Sequence, residues 1–173
     1  MKQLKNLYLS NRLFLAIACV VFCFVVAFIL NGFLIVPKIL FFALVAFVLA
    51  DALLLFRASR GLHGYRFTPE KLSNGDDNEI RIYLENFFPF EATLEVIDEI
   101  PHQFQRRDLN FRVQLPSRES KTLVYSLRPV KRGEYSFGAV NVFVRSPLGL
   151  LKRRFQFSQD ALVPVYPSYI QMR

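Results

Sequence analysis

Hydrophobic residues follow two different patterns along the chain, and the pattern changes near Arg57. Before that residue, two uninterrupted apolar runs occupy residues 13–30 and 39–56, each 18 residues long. At about 1.5 Å per helical residue, each run is just long enough to cross a hydrocarbon core of about 30 Å. A short segment with an Asn-Gly turn signal at residues 31–32 joins them. The pattern therefore predicts a two-helix transmembrane hairpin within residues 1–60.

After Arg57 the hydrophobic period changes to two, which is typical of half-buried β-strands. Turn signals rich in Gly, Pro, Asn and Asp separate the alternating stretches. Strands are predicted at residues 62–68, 79–87, 91–100, 108–116, 121–129, 134–145, 150–157 and 162–166. Several short strands at this spacing predict an all-β, antiparallel, immunoglobulin/fibronectin-like sandwich over residues 61–173.

One stretch, KRGEYSFGAVNVFVRSPLGLLKRR (131–154), combines two basic clusters with glycines and alternating apolar residues. Tyr135 and Phe137 share one phase, and three valines continue on even positions after Gly138. A phase shift at a glycine is a signal for a β-bulge. The stretch is therefore predicted to be a bulged β-hairpin.

The net charge of +8 is concentrated around the apolar runs. Three basic residues and no acidic residue precede the first run, and three more follow the second run within residues 57–66. The connecting segment holds only Lys38. By the positive-inside rule, both termini are expected in the cytosol, which makes the protein a multi-pass protein of the cytoplasmic membrane. Cys19 and Cys23 both lie in the first run, so neither a disulfide framework nor a zinc spacing is present.

The first run has two other interpretations, a cleaved signal peptide and a lipoprotein signal. A cleaved signal peptide needs a small-residue cleavage site after a shorter apolar core, and FILNGF (28–33) does not supply one. The sequence AIAC (16–19) resembles a lipobox, but too few apolar residues precede the cysteine and apolar residues continue after it. The pattern favours a transmembrane helix.

Asp51 is an ionisable residue well inside the second run. Carboxylates within a membrane span are candidates for functional sites, and they usually find a polar partner. Asp51 lies six residues before Arg57, about 9 Å from the cytosolic end of the helix. It could be protonated, reach interfacial water or cap a helix–helix contact, and these structural roles are favoured over a proton relay.

The basic clusters of the sandwich are candidates for contact with a partner. A phosphate-binding loop needs glycines before a helix, and here strands follow, while nucleic-acid binding needs exposed aromatic residues on a basic face. We therefore expect no nucleic acid as partner. Residues 67–110 carry a net charge of −6 and residues 111–173 carry +8, which is compatible with docking or with pairing of the two halves. The candidate docking or lipid-contact residues are Lys131, Arg132, Lys152, Arg153 and Arg154.

The sequence lacks the usual marks of an enzyme. It contains two histidines, His63 and His102, no Walker loop and no dinucleotide-binding fingerprint. NGDDNE (74–79) offers carboxylates but lacks the spacing of a known calcium loop, and a hairpin turn explains it better. We expect no catalytic residue, no cofactor and no bound metal.

The order of several motifs resembles the bacterial family catalogued as domain of unknown function 58. The likeness covers a two-span hairpin with Asp51 late in the second span, and a strand ending in Asn (IRIYLEN). It also includes an Arg-Gly-x-Tyr motif, which is RGEY here, and SPLGL, where the family usually has Asp in place of Ser. VPVYP follows. The turn residues that match the family motifs are Gly133, Tyr135, Pro147 and Gly149.

The resemblance implies a protein of the bacterial inner membrane that works beside AAA+ ATPases of the MoxR type. Family members continue into a half similar to a von Willebrand factor A domain, so this chain is expected to correspond to the amino-terminal part of such a protein. The leading hypothesis is a membrane-anchored, non-catalytic scaffold or assembly protein that presents a cytosolic β-sandwich for protein docking. The alternative is a module that senses a ligand or anionic membrane lipid through its basic half.

Overall fold

The computed structural model describes residues 6–30, 34–58, 60–106, 109–158 and 161–167. Its first part contains two helices, α1 (Asn11–Ile29) and α2 (Ile35–Arg57). Both helices are long and apolar enough to cross a membrane, and only 11% of each apolar window is buried inside the protein. The two predicted helices are confirmed, and the turn predicted at residues 31–32 lies outside the described residues.

The rest of the described chain is built from strands, and the eight predicted stretches all contain one. Two short strands were missed, because neither a three-residue nor a two-residue strand produces a readable alternation. Residues 134–145 hold two strands where one was predicted. The strands are β1 (Leu7–Leu9), β2 (Leu62–Phe67), β3 (Leu72–Ser73), β4 (Asn78–Asn86), β5 (Ala92–Asp98), β6 (Asn110–Leu115), β7 (Ser120–Leu127), β8 (Gly133–Phe137), β9 (Val140–Arg145), β10 (Leu151–Phe157) and β11 (Ala161–Tyr166).

The strands form one five-stranded sheet, in the order β1-β10-β9-β5-β6, and two three-stranded sheets, β2-β4-β7 and β3-β11-β8. All pairings are antiparallel except that of β3 with β11. Sheet β2-β4-β7 packs on the five-stranded sheet, since Phe111 of β6 meets Tyr125 of β7 with ring centroids 5.7 Å apart. The domain is thus an immunoglobulin/fibronectin-like β-sandwich, as predicted.

The core follows the predicted alternation. Ile80, Ile82 and Leu84 of β4 are fully buried, and so are the even-numbered valines of β9. The same core cluster also contains Leu13 of α1 and Leu55 of α2. Because the ends of both helices share the core of the sandwich, the hairpin and the sandwich pack as one body.

The predicted bulged hairpin is present, with one difference. β9 pairs with β10 up to Val140 opposite Phe157, and β8 pairs with β11 from Phe137 opposite Ala161. Gly138 and Ala139 lie between the two ladders, at the place where the phase shift predicted a bulge. The bulge divides the hairpin between two sheets, where the sequence had predicted one continuous strand.

Glycine is required at the bulge because another side chain lies close to it. A Cβ on Gly138 would lie 2.7 Å from a carboxylate oxygen of Glu99. The backbone N–H of Gly138 donates to the Glu99 carbonyl at 2.8 Å, and the Glu99 carboxylate accepts from Ala139 N–H at 3.1 Å. Glu99 thus satisfies the backbone amides that the bulge leaves out of the ladder.

Candidate functional site: the helix–sandwich junction and the distal loop

Asp51 lies near the carboxyl-terminal end of α2, where it is fully buried, and its carboxylate holds the turn between β9 and β10. The backbone N–H groups of Leu150 and Leu151 donate to its Oδ2 at 2.9 and 2.7 Å. The hydroxyl of Ser146 donates to its Oδ1 and accepts from Gly149 N–H at 3.1 Å. Among the structural roles left open for Asp51, the helix–helix cap is not the one observed, since the partners of its carboxylate belong to the sandwich.

Arg153 of β10 reaches the end of the same helix. Its Nη1 donates to the carbonyl of Leu55 at 2.7 Å and lies 3.5 Å from the carbonyl of Ala58. These carbonyls belong to the helix end, where cations are favoured because backbone acceptors are left unpaired there. The guanidinium also lies over the rings of Phe56 and Phe155, 4.8 and 4.6 Å from their centroids. Burial lowers the pKa of Arg153.

The amino-terminal end of α1 joins the same junction. β1, directly before α1, pairs antiparallel with β10 and forms an edge of the five-stranded sheet. Ser10 caps α1, and its backbone N–H donates to the Leu150 carbonyl at 3.0 Å. Ser10, Asp51 and the segment 146–153 that binds them together form the junction between the helices and the sandwich.

The other two cations of β10 are also engaged by the sandwich. Lys152 Nζ lies 3.3 Å from Glu95 of β5, and Arg145 Nη2 lies 3.4 Å from the same carboxylate. Arg154 donates to the side-chain oxygen of Asn141 at 2.6 and 2.9 Å. Burial acts to raise the pKa of Glu95, but hydrogen bonds from Asn110 and Lys152, with the charges of Lys152 and Arg145, lower it overall.

Lys131 and Arg132, the other two candidate docking residues, are exposed at the opposite end of the sandwich. They belong to the segment between β7 and β8, here called the distal loop (residues 128–132). The structure thus separates the two basic clusters that are close in sequence. The cluster on β10 supports the junction, whereas the distal loop faces solvent.

The residues that match the family motifs have structural roles at these two places. The hydroxyl of the buried Tyr135 donates to the Lys131 carbonyl at 3.0 Å, which fixes the distal loop. Gly133 and Gly149 have φ values of +135° and +68°, a region that favours glycine. A Cβ on Gly149 would lie 3.1 Å from a guanidinium nitrogen of Arg12. Pro147 is exposed in the turn between β9 and β10.

The asparagine that ends β4 ties two turns together. The side-chain amide of the buried Asn86 donates to the carbonyls of Phe90, Leu115 and Pro116 at 2.8 to 3.0 Å. Its Oδ1 accepts from Phe88 N–H at 2.9 Å. The motif IRIYLEN thus ends in a residue that organises the neighbouring turns.

A buried ion pair inside the sandwich has no counterpart in the sequence analysis. Arg66 Nη1 lies 2.5 Å from Asp98 Oδ1, and the hydroxyl of Tyr125 donates to the other carboxylate oxygen. Burial raises the pKa of Asp98 although the charge of Arg66 opposes this, and burial together with Asp98 raises the pKa of Tyr125. The guanidinium also donates to the Gly138 carbonyl at 3.0 Å. Since the pair connects three strands and the bulge, we interpret it as structural.

The outer face of sheet β2-β4-β7 carries an aromatic hollow of about 570 Å³. Tyr65 stacks on Tyr83 with centroids 5.0 Å apart and meets Phe67 edge-on at 4.8 Å. Glu79 and Arg81 pair with each other beside the hollow. The hollow is open, and Thr68, Thr122 and the Glu79–Arg81 pair supply polar groups to its lining.

The described residues contain no group of three or more His, Cys, Asp or Glu side chains placed to hold a metal ion. Residues 74–77 form the turn before β4, as expected for NGDDNE, but the turn does not close a tight hairpin, because β3 and β4 belong to different sheets. There Asn78 accepts from Ser73 N–H at 2.7 Å, and the Ser73 hydroxyl donates to Asp76 at 2.5 Å.

No family model matches the sequence. The chain is 30% identical over 137 residues to the uncharacterized protein YeaD of Bacillus subtilis (strain 168), a stretch that covers 75% of this chain. The chain spans about a third of the length of that relative, 34%. Among solved structures, the CARDB domain of the PF1109 protein from Pyrococcus furiosus is 16% identical with a TM-score of 0.40, covering 61% of this chain and 87% of that domain. A PapD-like domain of human CEP192 is 15% identical with a TM-score of 0.44, covering 64% of this chain and 89% of that domain.

Proposed function

We propose that this chain is a non-catalytic docking module anchored in the membrane by α1 and α2, with its sandwich in the cytosol. The pairing of β1 with β10 carries the proposal. β1 precedes α1 and β10 follows α2, so pairing requires both ends of the helical hairpin to lie on the same side of a membrane. A cleaved signal sequence would take the edge strand β1 away with it, which supports a retained hairpin.

The dimensions of the junction are consistent with this arrangement. Ser10 and Asp51 both contact the segment that follows β9, so the two helices leave the sandwich at one level. From that level α1 extends for 19 residues, about 28 Å at the usual helical rise, close to the thickness of a hydrocarbon core. Asp51 then lies at the boundary, where protein groups rather than lipid surround it.

The side of the membrane follows from charge. Basic residues flank the cytosolic ends of membrane helices, and here Arg12, Arg57 and Arg60 lie near the ends that meet the sandwich. On this ground we propose that the sandwich lies in the cytosol of a bacterial cell. By the resemblance to domain of unknown function 58, we further propose that its partner belongs to an AAA+ ATPase system of the MoxR type. Binding to a purified MoxR-type ATPase would test that link.

Membrane anchoring and sidedness can be tested on the full chain. The protein should remain in the membrane pellet after carbonate extraction, and its intact mass should include β1. In a background with Cys19→Ala and Cys23→Ala, a cysteine introduced at Gly32 should react with an impermeant thiol reagent in intact cells. A cysteine at the exposed Ser120 should react only after lysis.

Each outcome has a defined consequence. Extraction by carbonate, or a mature chain that begins after α1, would refute the anchor. Reaction at Ser120 and protection at Gly32 in intact cells would keep the anchor and reverse the orientation. Labelling of both sites in intact cells would contradict the hairpin, provided that a cytosolic marker stays unlabelled.

A further inference from the structure

The distal loop presents three cations to solvent. Arg128, Lys131 and Arg132 are exposed, and none of them forms an ion pair with a described residue. Between them Val130 is 72% exposed, the largest exposed fraction among the large hydrophobic side chains that the structure describes in the sandwich. An exposed apolar side chain beside arginines has the composition of a small protein interface, which has an apolar centre, a polar rim and an excess of arginine.

The backbone of the distal loop is held in place. Gly75 N–H donates to the Pro129 carbonyl at 2.8 Å, and the Tyr135 hydroxyl donates to the Lys131 carbonyl at 3.0 Å. Pro129 is buried and lies next to the exposed Val130. A partner that binds here does not have to order the loop first, which reduces the entropic cost of binding.

The position of the loop argues against membrane lipid as its partner. One end of β4, at Asn86, lies close to the helices. The N–H of the next residue, Phe87, donates to the carbonyl of Gly61, which belongs to the linker from α2. Asn78, at the other end, donates to the Leu127 carbonyl beside the distal loop. The eight residue steps between them span about 26 Å at the usual rise of a strand. This is about three times the screening length of about 8 Å at physiological salt, so a lipid surface at the junction exerts little attraction on the loop.

The surroundings also argue against a nucleic acid. Binding of single strands uses exposed aromatic rings within a continuous basic groove. The tyrosine beside the loop, Tyr135, is buried. The turn that donates to Pro129 carries Asp76 and Asp77, so an acidic patch interrupts the basic surface directly at its edge. The basic surface is therefore short, and it can accommodate a short acidic segment but not a long polyanion.

We infer that the distal loop is a docking site for an acidic segment of a partner protein. Carboxylates of that segment pair with Arg128, Lys131 and Arg132, and an apolar side chain covers Val130. The inference rests on the proposed function and specifies the surface and the chemistry of the partner. The two basic clusters then have different roles. The cations of β10 stabilise the sandwich and its contact with α2, whereas those of the distal loop bind the partner.

The test uses the full chain in nonionic detergent micelles and a fluorescent 12-residue peptide of glutamates with two central leucines as the probe. Fluorescence anisotropy should show binding that weakens as salt is raised. Lys131→Glu with Arg132→Glu should weaken binding at least about tenfold, since close interfacial charge pairs couple strongly. The matched control, Arg112→Glu with Lys121→Glu, makes the same change in net charge at exposed positions of β6 and β7 and should weaken binding less than about twofold.

A second variant separates the apolar contact from charge. Val130→Ser should weaken binding severalfold without changing its salt dependence. Absence of probe binding, or equal loss in the distal and control charge variants, would overturn the inference. So would tighter binding of an equal-length single-stranded oligonucleotide, or of phosphatidylglycerol vesicles, that depends on Lys131 and Arg132. Carbonate extraction and labelling of the same variants would be unchanged in all these cases, so failure here is distinguishable from failure of the anchor.

Discussion

Removal of the Asp51 carboxylate should loosen the junction between α2 and the sandwich. Asp51 accepts two backbone N–H groups and one hydroxyl while fully buried. Hydrogen bonds to a charged group contribute about 1.5–3 kcal/mol each, and truncation leaves the buried N–H groups of Leu150 and Leu151 without an acceptor. The variant Asp51→Ala no longer buries a charge, which offsets part of this loss. A net cost of about 3 kcal/mol is expected, within the range for breaking a buried polar network.

The loss of free energy can be measured at the amides that lose their acceptor, those of Leu150 and Leu151. At about 1.4 kcal/mol per factor of ten, a loss of 3 kcal/mol corresponds to roughly a hundredfold faster hydrogen exchange at the amides of Leu150 and Leu151. Hydrogen exchange with mass spectrometry on the protein in nanodiscs reports these amides. Asp51→Asn keeps one oxygen that can accept from both backbone N–H groups while its NH2 group faces the Ser146 hydroxyl, so its effect should be smaller than that of Asp51→Ala.

The matched control is Asp77→Ala, which removes the same group from an exposed turn and should change exchange at the junction by less than a factor of two. Unchanged exchange at Leu150 and Leu151 in Asp51→Ala would refute the role assigned to this carboxylate. Equal acceleration in Asp77→Ala would show that the assay detects loss of negative charge rather than loss of an acceptor.

Two further predictions concern β10 and β5. Arg153→Ala should lower the free energy of unfolding of the full chain in micelles by about 2–3 kcal/mol, because it removes a charged donor to the α2 carbonyls and two ring contacts. Arg153→Lys should recover part of this loss, and Lys131→Ala should cost less than about 0.5 kcal/mol in the same urea titration; equal costs for the Arg153→Ala and Lys131→Ala variants would contradict the junction. Since the folded-state pKa of Glu95 is lowered below its ordinary value of 4.5, its stabilising contribution is present above about pH 4.5 and is lost as the pH falls through the folded-state pKa. Urea titrations at pH 7 and pH 3 should therefore show Glu95→Gln less stable than the parent at pH 7 by a margin that shrinks at pH 3; a margin that grows on acidification would reverse the assigned direction.

The order and class of the elements were readable from the sequence because they depend on local pattern. Two apolar runs of helical length predicted α1 and α2, and alternation with period two predicted the β-rich remainder. The phase shift at Gly138 predicted the bulge, since the side-chain period of a strand leaves no other way to keep both halves of the hairpin in the core. These features need only residues that are neighbours along the chain.

The junction and the separation of the basic clusters were decided by the tertiary structure. Asp51 and Ser146 lie 95 residues apart in sequence, and nothing in the pattern around either residue points to the other. Lys131 and Lys152 look equivalent in sequence, yet one is exposed on the distal loop and the other lies beside Glu95. The residues next to a lysine in the sequence do not show whether the lysine is buried, because burial depends on which strands pair and which sheets meet. The sequence therefore determined the helices and the longer strands in their order, whereas packing decided the short strands β1 and β3, which polar groups hold the molecule together and which remain open to a partner.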